Sequence, residues 1–551
     1  MANLQEAGCG KSPISNHEST LQKLDLRNLK LAQVLAVLNQ DGVFIETVSV
    51  DANDSDRLDF LKFKNKSSLA ELIHILESEG LIKCQDSGTD QKILLHDTWR
   101  LTLQRKLYNE KELFQPIFNA AVSLIRRKFP RQSPVQFPQN DIWGVCKKYS
   151  PHIISLMEVH AASLVPPEPS IDYALLLSDA SNYFYERNFF ADALRTADAS
   201  VEACKHIDDC EAARADIHTI AAAVRDTSGI SERSKTLHHY IMAIALRQEC
   251  LNKSKLEDVT HDDLWNYANA WGNMTPILLD YGCYEDVIVY AEFAMTIKRK
   301  LFSHERESTI ACYEQYRNKH IALAALGRFE DAQRWRPDPE NCIDDPRYTV
   351  IMIRYYFFHA NIAIICGKLD AAYESLQKTL EMRTKFFGPT GRSTLDTYYL
   401  LAMLEIRRGN NDAAEAHLRK ALESPNDWTD EACARARYKL PQLLLSKDDG
   451  EAQHLLKEAS ERLATYWEKY ARYWPRELDL PDEDEMYDHI VPAEAGRLSM
   501  TKLLPLNTLT RGLNDICRQL ASRLKSDDAA LATKELAQLL KTQSSMFHLV
   551  P

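Results

Sequence analysis

Between residues 26 and 108 the apolar positions form two helical stripes and a pair of short runs. Leu29, Leu31, Val34, Leu35 and Leu38 recur at helical spacing and stop at Asn39-Gln40-Asp41-Gly42, good helix-ending chemistry. A second stripe, Leu69, Leu72, Ile73 and Leu76, runs to Gly80. It follows Ser67-Ser68, an N-cap candidate with Glu71 three residues after Ser68. Leu81-Ile82-Lys83-Cys84 and Lys92-Ile93-Leu94-Leu95 flank the turn-forming Asp86-Ser87-Gly88-Thr89-Asp90 and predict a hairpin. A further helix is expected from about Trp99.

Helix, helix, hairpin, helix is the order of a winged helix. Such domains often bind DNA through the second or third helix. Here that helix carries Glu71, Glu77 and Glu79 without a Lys or Arg, so it would repel phosphates. Two connector helices are expected next, Leu113 to Phe129 and Trp143 to His160, separated by Pro130, Pro134 and Pro138. Pro166-Pro167-Glu168-Pro169 forbids both helix and ladder and reads as a linker.

Beyond that linker one pattern recurs at about 40 residues: small residues on a first helix, a Gly or polar turn, and an aromatic-x-x-Ala step opening a second. One copy is Tyr398, Leu401, Ala402, Gly409, Ala414, Leu418 and Ala421, and another is Tyr356, His359, Ala360, Gly367, Ala372 and Leu376. Trp271, Met274, Thr275, Gly282, Tyr284, Ala291 and Ala294 make a third; Leu323, Gly327, Phe329 and Ala332 a fourth; Leu177, Ala180, Phe184, Phe190, Ala193 and Ala197 a fifth. Small side chains let paired helices approach, aromatics fill the gap to the next pair, and a lone pair cannot bury its face, so stacking is compulsory. Roughly six to seven units are expected between 172 and 470.

The fold class that follows is all-α: a tetratricopeptide-like helical solenoid preceded by a small winged-helix domain. The expected divisions are a disordered lead-in over 1–25, the winged helix over 26–108, a helical connector over 109–165 and repeats over 172–475. An acidic loop and C-terminal capping helices that close the superhelix at about 500 to 545 are expected over 476–551.

Composition agrees with this. With 551 residues the chain exceeds one core, and only 17 Gly and 21 Pro disfavour a turn-rich β-sandwich. A net charge of −12 argues against a nucleic-acid partner. No apolar run reaches the roughly 18 residues of a membrane span; the longest, Tyr355 to Cys366, is broken by His359 and Asn361. The start has no apolar h-region, so no secretory leader is expected. Twelve scattered cysteines without a C-x-x-C pair read as small buried hydrophobes of a cytoplasmic protein.

Catalytic signatures are missing. Gly8-Cys9-Gly10-Lys11-Ser12 ends like a phosphate-binding loop, but Gln5 stands where the leading Gly belongs and no buried strand precedes it. Neither His-Glu-x-x-His nor Gly-x-Ser-x-Gly occurs. His238-His239 diverge by about 100° on a helix, predicting one packed and one solvated ring. Asp482-Glu483-Asp484-Glu485 reads as a solvated loop, and Tyr466, Trp467, Tyr470, Tyr473 and Trp474 as a helix capping the last repeat, or an exposed recognition patch. No catalytic, cofactor-binding or metal residue is named, and no enzyme activity, cofactor or metal is expected.

The repeats are similar to tetratricopeptide repeats in a long form. Arg383, Phe387-Gly388-Pro389-Thr390 and Thr394-Leu395 resemble the kinesin-light-chain type, which also ends fungal NOD-like receptors of the NB-ARC/STAND type. Leu94-Leu95-His96-Asp97 stands where those receptors carry Met-His-Asp, with Leu95 in place of Met. Phe129-Pro130, Trp143, Cys146, Tyr149 and Pro151-His152 resemble their connector, and Tyr487-Asp488-His489-Ile490-Val491 with Arg497 their closing segment. The resemblance implies that residues 26 to 500 correspond to the C-terminal half of such a receptor. The family's His touches ADP bound to a preceding ATPase domain. Barely two dozen residues stand before residue 26, so no nucleotide-binding domain is expected, and His96 and Asp97 are expected to be structural.

The expected function is a non-catalytic protein–protein interaction scaffold that holds a protein or peptide on the concave face, without nucleic acid, membrane or metal. A fungal immunity or signalling assembly is the expected setting. Alternatives are an accessory protein of a biosynthetic gene cluster, or a truncated receptor half working with a separate ATPase.

Overall fold

The computed structural model describes residues 20–51, 53–62, 67–87, 90–132, 141–205, 207–226, 233–302, 311–334, 349–425, 428–444, 449–470, 481–499, 509–524 and 532–542. The phosphate-loop-like segment at 8–12, together with Tyr473 and Trp474, lies outside them. The chain divides into two compact units. One comprises 1–132, 141–180 and 198–207; the other comprises 133–140, 181–197 and 208–551.

In the first unit, helix α1 (Leu26–Val37) starts where the Asp25 carboxylate accepts from the Asn28 N–H at 2.8 Å. Strand β1 (Val43–Phe44), helix α2 (Ile45–Val48), a 3-10 turn (Asp56–Leu61) and helix α3 (Ser67–Ser78) follow. The hairpin β2 (Ile82–Ser87) and β3 (Asp90–Leu95) leads into α4 (Asp97–Asn109), α5 (Lys111–Lys128) and α6 (Trp143–Ala162). The hairpin strands run further into the polar cluster than expected, pairing Ser87 with Asp90. β1 was not legible, because two residues are too few to show alternation; it pairs antiparallel with β3 and makes the sheet order β1-β3-β2. Gly42 allows this approach, at φ +101° and with room for no Cβ closer than 3.3 Å to Leu94. Arg100 of α4 closes the end of α1, donating to the carbonyls of Leu35, Ala36 and Leu38.

Helices α7 (Ile171–Glu186) and α8 (Phe190–Cys204) contain the division between units. The second unit continues with α9 (Glu211–Asp226), α10 (Arg233–Lys253), α11 (His261–Gly272), α12 (Thr275–Asp280), α13 (Tyr284–Leu301), α14 (Tyr313–Ala325) and α15 (Phe329–Arg334). Then come α16 (Thr349–Ile365), α17 (Leu369–Phe387), α18 (Arg392–Arg408), α19 (Asn411–Leu422), α20 (Asp430–Leu444), α21 (Asp449–Tyr470), α22 (Glu483–His489), α23 (Leu509–Arg523) and α24 (Thr533–Leu540).

One turn recurs through these hairpins. At Gly282, Gly327, Gly367 and Gly409 the backbone takes a positive φ; Asn188 does the same job between α7 and α8 at φ 63°. In each case that residue's N–H donates three residues back and the next N–H donates five residues back, as in Gly409 to Ile406 and Asn410 to Glu405. This cap satisfies the last carbonyls of the first helix and aims the chain into the second. The fifth residue after each turn, Ala193, Val287, Ala332, Ala372 or Ala414, is at most 3% exposed. The fold is an all-α helical solenoid.

Three expectations need correction. The Trp271–Thr275 stretch is not one first helix: it breaks between α11 and α12, where Pro276 lacks an N–H and its ring would clash with the carbonyl of Gly272. The acidic run is exposed at Asp482, Glu483 and Asp484, as expected, but it is a helix start rather than a loop. Asp482 caps α22 by accepting from the Glu485 N–H at 2.8 Å, its neighbours sit at the positive end of that helix, and Asp484 pairs with Lys439 at 2.5 Å. Finally, α23 and α24 do not close the end of the superhelix. They pack on α11 and α13, where Asn514 bonds Asp286 at 2.9 Å and Gln248 of α10 donates to the Leu540 carbonyl at 3.2 Å.

Candidate functional site: an arginine-lined groove around a chain segment

In the second unit, side chains of α10, α12, α14, α16 and α20 converge on one chain segment, Glu483–Ser499. Ile490 and Val491 are completely buried there, and Ala495 is nearly so.

Six hydrogen bonds hold the segment by its main chain. Arg233 of α10 donates to the carbonyls of His489 at 3.1 Å and Val491 at 3.3 Å. Asp280, at the end of α12, accepts from the Ala493 N–H at 2.6 Å, while Arg497 donates back to the carbonyls of Leu279 and Asp280. Asn361 of α16 donates to the Arg497 carbonyl at 3.0 Å. Arg435 of α20 reaches the carbonyls of Ala495 at 2.9 Å and Gly496 at 3.4 Å.

Charge and shape complete the fit. Arg435 also pairs with Asp488 at 3.0 Å with its guanidinium 3.8 Å over the Tyr399 ring, and Arg317 of α14 pairs with Glu494 at 3.2 Å. Tyr438 stacks on Tyr487 at 4.1 Å. Asp488 accepts from the N–H groups of Leu498 and Ser499, folding the segment back on itself. Gly496 sits at φ +79°, and a Cβ there would stand 2.9 Å from Leu400. Charge-assisted bonds from buried guanidinium groups to carbonyl oxygens read backbone rather than side-chain identity, which is the physics of peptide recognition.

Burial tunes the titrating groups. His489 is pushed down to about 4 by burial, against the raising effect of Glu485. Burial raises Asp280 although Arg233 and Arg497 oppose it. Elsewhere in this unit the Nδ1 atoms of His218 and His239 meet at 2.8 Å. His239 is packed as expected of one of the adjacent pair, and His238 is half-buried rather than solvated.

The residues singled out from sequence are repeat framework. Trp271 is fully buried, edge-on to Tyr290 and Phe293 at 5.4 and 5.3 Å. Ala360, Ala372, Ala402, Ala414 and Ala421 have no exposure, and Ala332 has 3%. Gly282, Gly367 and Gly409 make turns, and Tyr398 packs half-buried beside His417. His96 and Asp97 are exposed in the first unit; the His96 N–H donates to the Leu81 carbonyl at 3.0 Å, at the start of α4. Sequence reasoning missed Arg233, Arg317 and Arg435, since an arginine on an inner helix face has the polarity of a solvent position.

Among the described residues, no group of three or more His, Cys, Asp or Glu could hold a metal ion, and no helix is long and apolar enough to cross a membrane. No curated protein matches the chain. A tetratricopeptide repeat family model matches residues 352–426, from α16 through α19, so these two hairpins are similar to that repeat.

Proposed function

We propose that this protein is a non-catalytic interaction module whose inner groove binds a folded-back protein segment through its main chain, with Glu483–Ser499 as its resident ligand. The observation that carries this is the set of side chains from α10, α12, α16 and α20 that bond the segment's main chain. Tetratricopeptide repeats generally mediate protein–protein interaction, and the match over 352–426 supports the same use here. A partner that carries a similar stretch would compete with the resident segment rather than enter an empty groove.

The rest of the reading is also a proposal. The three-stranded sheet beside α1, α3 and α4 supports a winged helix over 26–108, serving to pack rather than to bind DNA. The order of the receptor-like motifs, with Tyr487 to Arg497 seated in the groove, supports a relation to the C-terminal half of fungal NOD-like receptors and an immunity or signalling setting. None of the ten described cysteines is joined in a disulfide, in keeping with a cytoplasmic protein.

The test is a labelled peptide of residues 481–499 added to the full chain and to its Gly496→Val variant, in which the resident segment is disfavoured. Fluorescence anisotropy should show saturable binding to the variant and much weaker binding to the wild type. A variant that stays folded by circular dichroism and still ignores the peptide contradicts the proposal.

A further inference from the structure

Beside the resident segment the second unit leaves a cavity of about 80 Å³. Arg354 of α16, Arg383 of α17 and Arg392 of α18 line it, with Asp396, Glu494 and Ser393. On this scale a water needs roughly 10–15 Å³, so the space admits a small polyatomic group.

Three carboxylates share its wall, and each has another partner. Glu186 accepts from Asn182 at 3.1 Å, Glu494 pairs with Arg317 at 3.2 Å, and Asp396, whose charge also favours the cations of Arg383 and Arg392, accepts from the Trp428 indole at 2.8 Å. Arg354 has its own partner, Glu314, at 3.2 Å. Arg383 differs. It is 5% exposed, with one amino group tied to the Ser393 carbonyl at 2.5 Å and the Thr397 hydroxyl at 3.0 Å, and its guanidinium 3.8 Å over the Phe357 ring. Among the described residues no carboxylate lies within ion-pair distance of it, and burial pushes it down to about 9. A buried cation is costly unless an anion compensates it.

We infer that this cavity is an oxyanion site, built for a phosphate group held by Arg354, Arg383 and Arg392. Three guanidinium groups from three successive helices favour a tetrahedral anion of about two charges over a single carboxylate, because each planar fork can bond a different oxygen edge. The phosphate is either the free ion or the phosphoryl group of a phosphorylated residue on a protein partner. The inference does not depend on the groove's choice of peptide.

Calorimetric titration of the full chain, at constant ionic strength set with sodium chloride, separates these sources. Inorganic phosphate and a five-residue phosphoserine peptide are the two probes. Saturable binding is expected, weakened at least about tenfold by Arg383→Met and by Arg354→Gln, and unchanged by Lys420→Gln on the exposed face of α19. Tighter binding of the peptide assigns the site to a phosphorylated partner, and equal or tighter binding of phosphate assigns it to the free ion. Arg354 is more exposed than Arg383 and Glu314 keeps Arg317 as a partner, so Arg354→Gln is the variant that tolerates the change if Arg383→Met does not fold. No saturable binding of either probe, or wild-type affinity in a folded Arg354→Gln protein, overturns the inference.

Discussion

Arg435 and Asp488, far apart in the chain, meet at 3.0 Å with the guanidinium stacked on Tyr399 and almost no solvent access. This pair joins the last inner helix to the segment that fills the groove. Breaking a buried pair by removing one partner leaves an uncompensated charge, at a cost of about 3–5 kcal/mol. Asp488→Ala also frees the N–H groups of Leu498 and Ser499. Its melting temperature should fall well below that of Asp412→Ala on the exposed start of α19. Equal melting temperatures would mean that the segment is not anchored there.

The two kinds of glycine should respond differently. Gly409 has a positive φ and open space around its missing Cβ, so Gly409→Ala should cost about 1 kcal/mol of backbone strain alone. At Gly496 a side chain also meets Leu400 at 2.9 Å and Phe357 at 3.0 Å. Gly496→Val should therefore destabilise more and make the segment a target for limited proteolysis. If the two variants melt and digest alike, the tight seat of Gly496 is wrong.

Ala402 is completely buried between paired helices. Ala402→Trp overpacks that contact and should cost about 1–3 kcal/mol or more, whereas Gln377→Lys on an exposed face should stay within about 0.5 kcal/mol. Chemical denaturation of both variants checks this.

The histidine pair predicts acid sensitivity. Burial holds His218 down to about 3 and His239 down to about 2, with Arg214 near the first and Arg225 and Lys235 near the second pushing the same way. Both values lie below the ordinary 6.5, so the unfolded chain takes up protons first as pH falls. The stability is present above 6.5 and is lost as pH drops toward the folded values. Between pH 6.5 and 5 each ring should cost about 2 kcal/mol. Melting at pH 7 and pH 5 should show a smaller drop for the His218→Leu/His239→Leu protein than for the wild type.

The repeat framework was legible because its signals are local. A residue that must take a positive φ is usually Gly, and a close helix contact is usually Ala, so Gly367, Ala372, Gly409 and Ala414 repeat in register. The groove was not legible. Arg233 and Arg317 sit on buried faces where an apolar residue would have announced burial, and their partners in the segment, the His489 carbonyl and Glu494, lie too far along the chain to be read from local spacing. An amphipathic helix such as α23 reveals that one face is buried but not against what, which is why its place on α13 was missed. Asp482 carried a capping signal that the surrounding run of like charges obscured.

Hydrogen–deuterium exchange over residues 483–499 in the intact chain tests the groove most directly. The account predicts that the Ala493, Leu498 and Ser499 amides, bonded to Asp280 and Asp488, exchange orders of magnitude more slowly than in a free peptide of the same sequence, and that Gly496→Val releases them. Exchange of this segment at the free-peptide rate in the wild-type protein would contradict it.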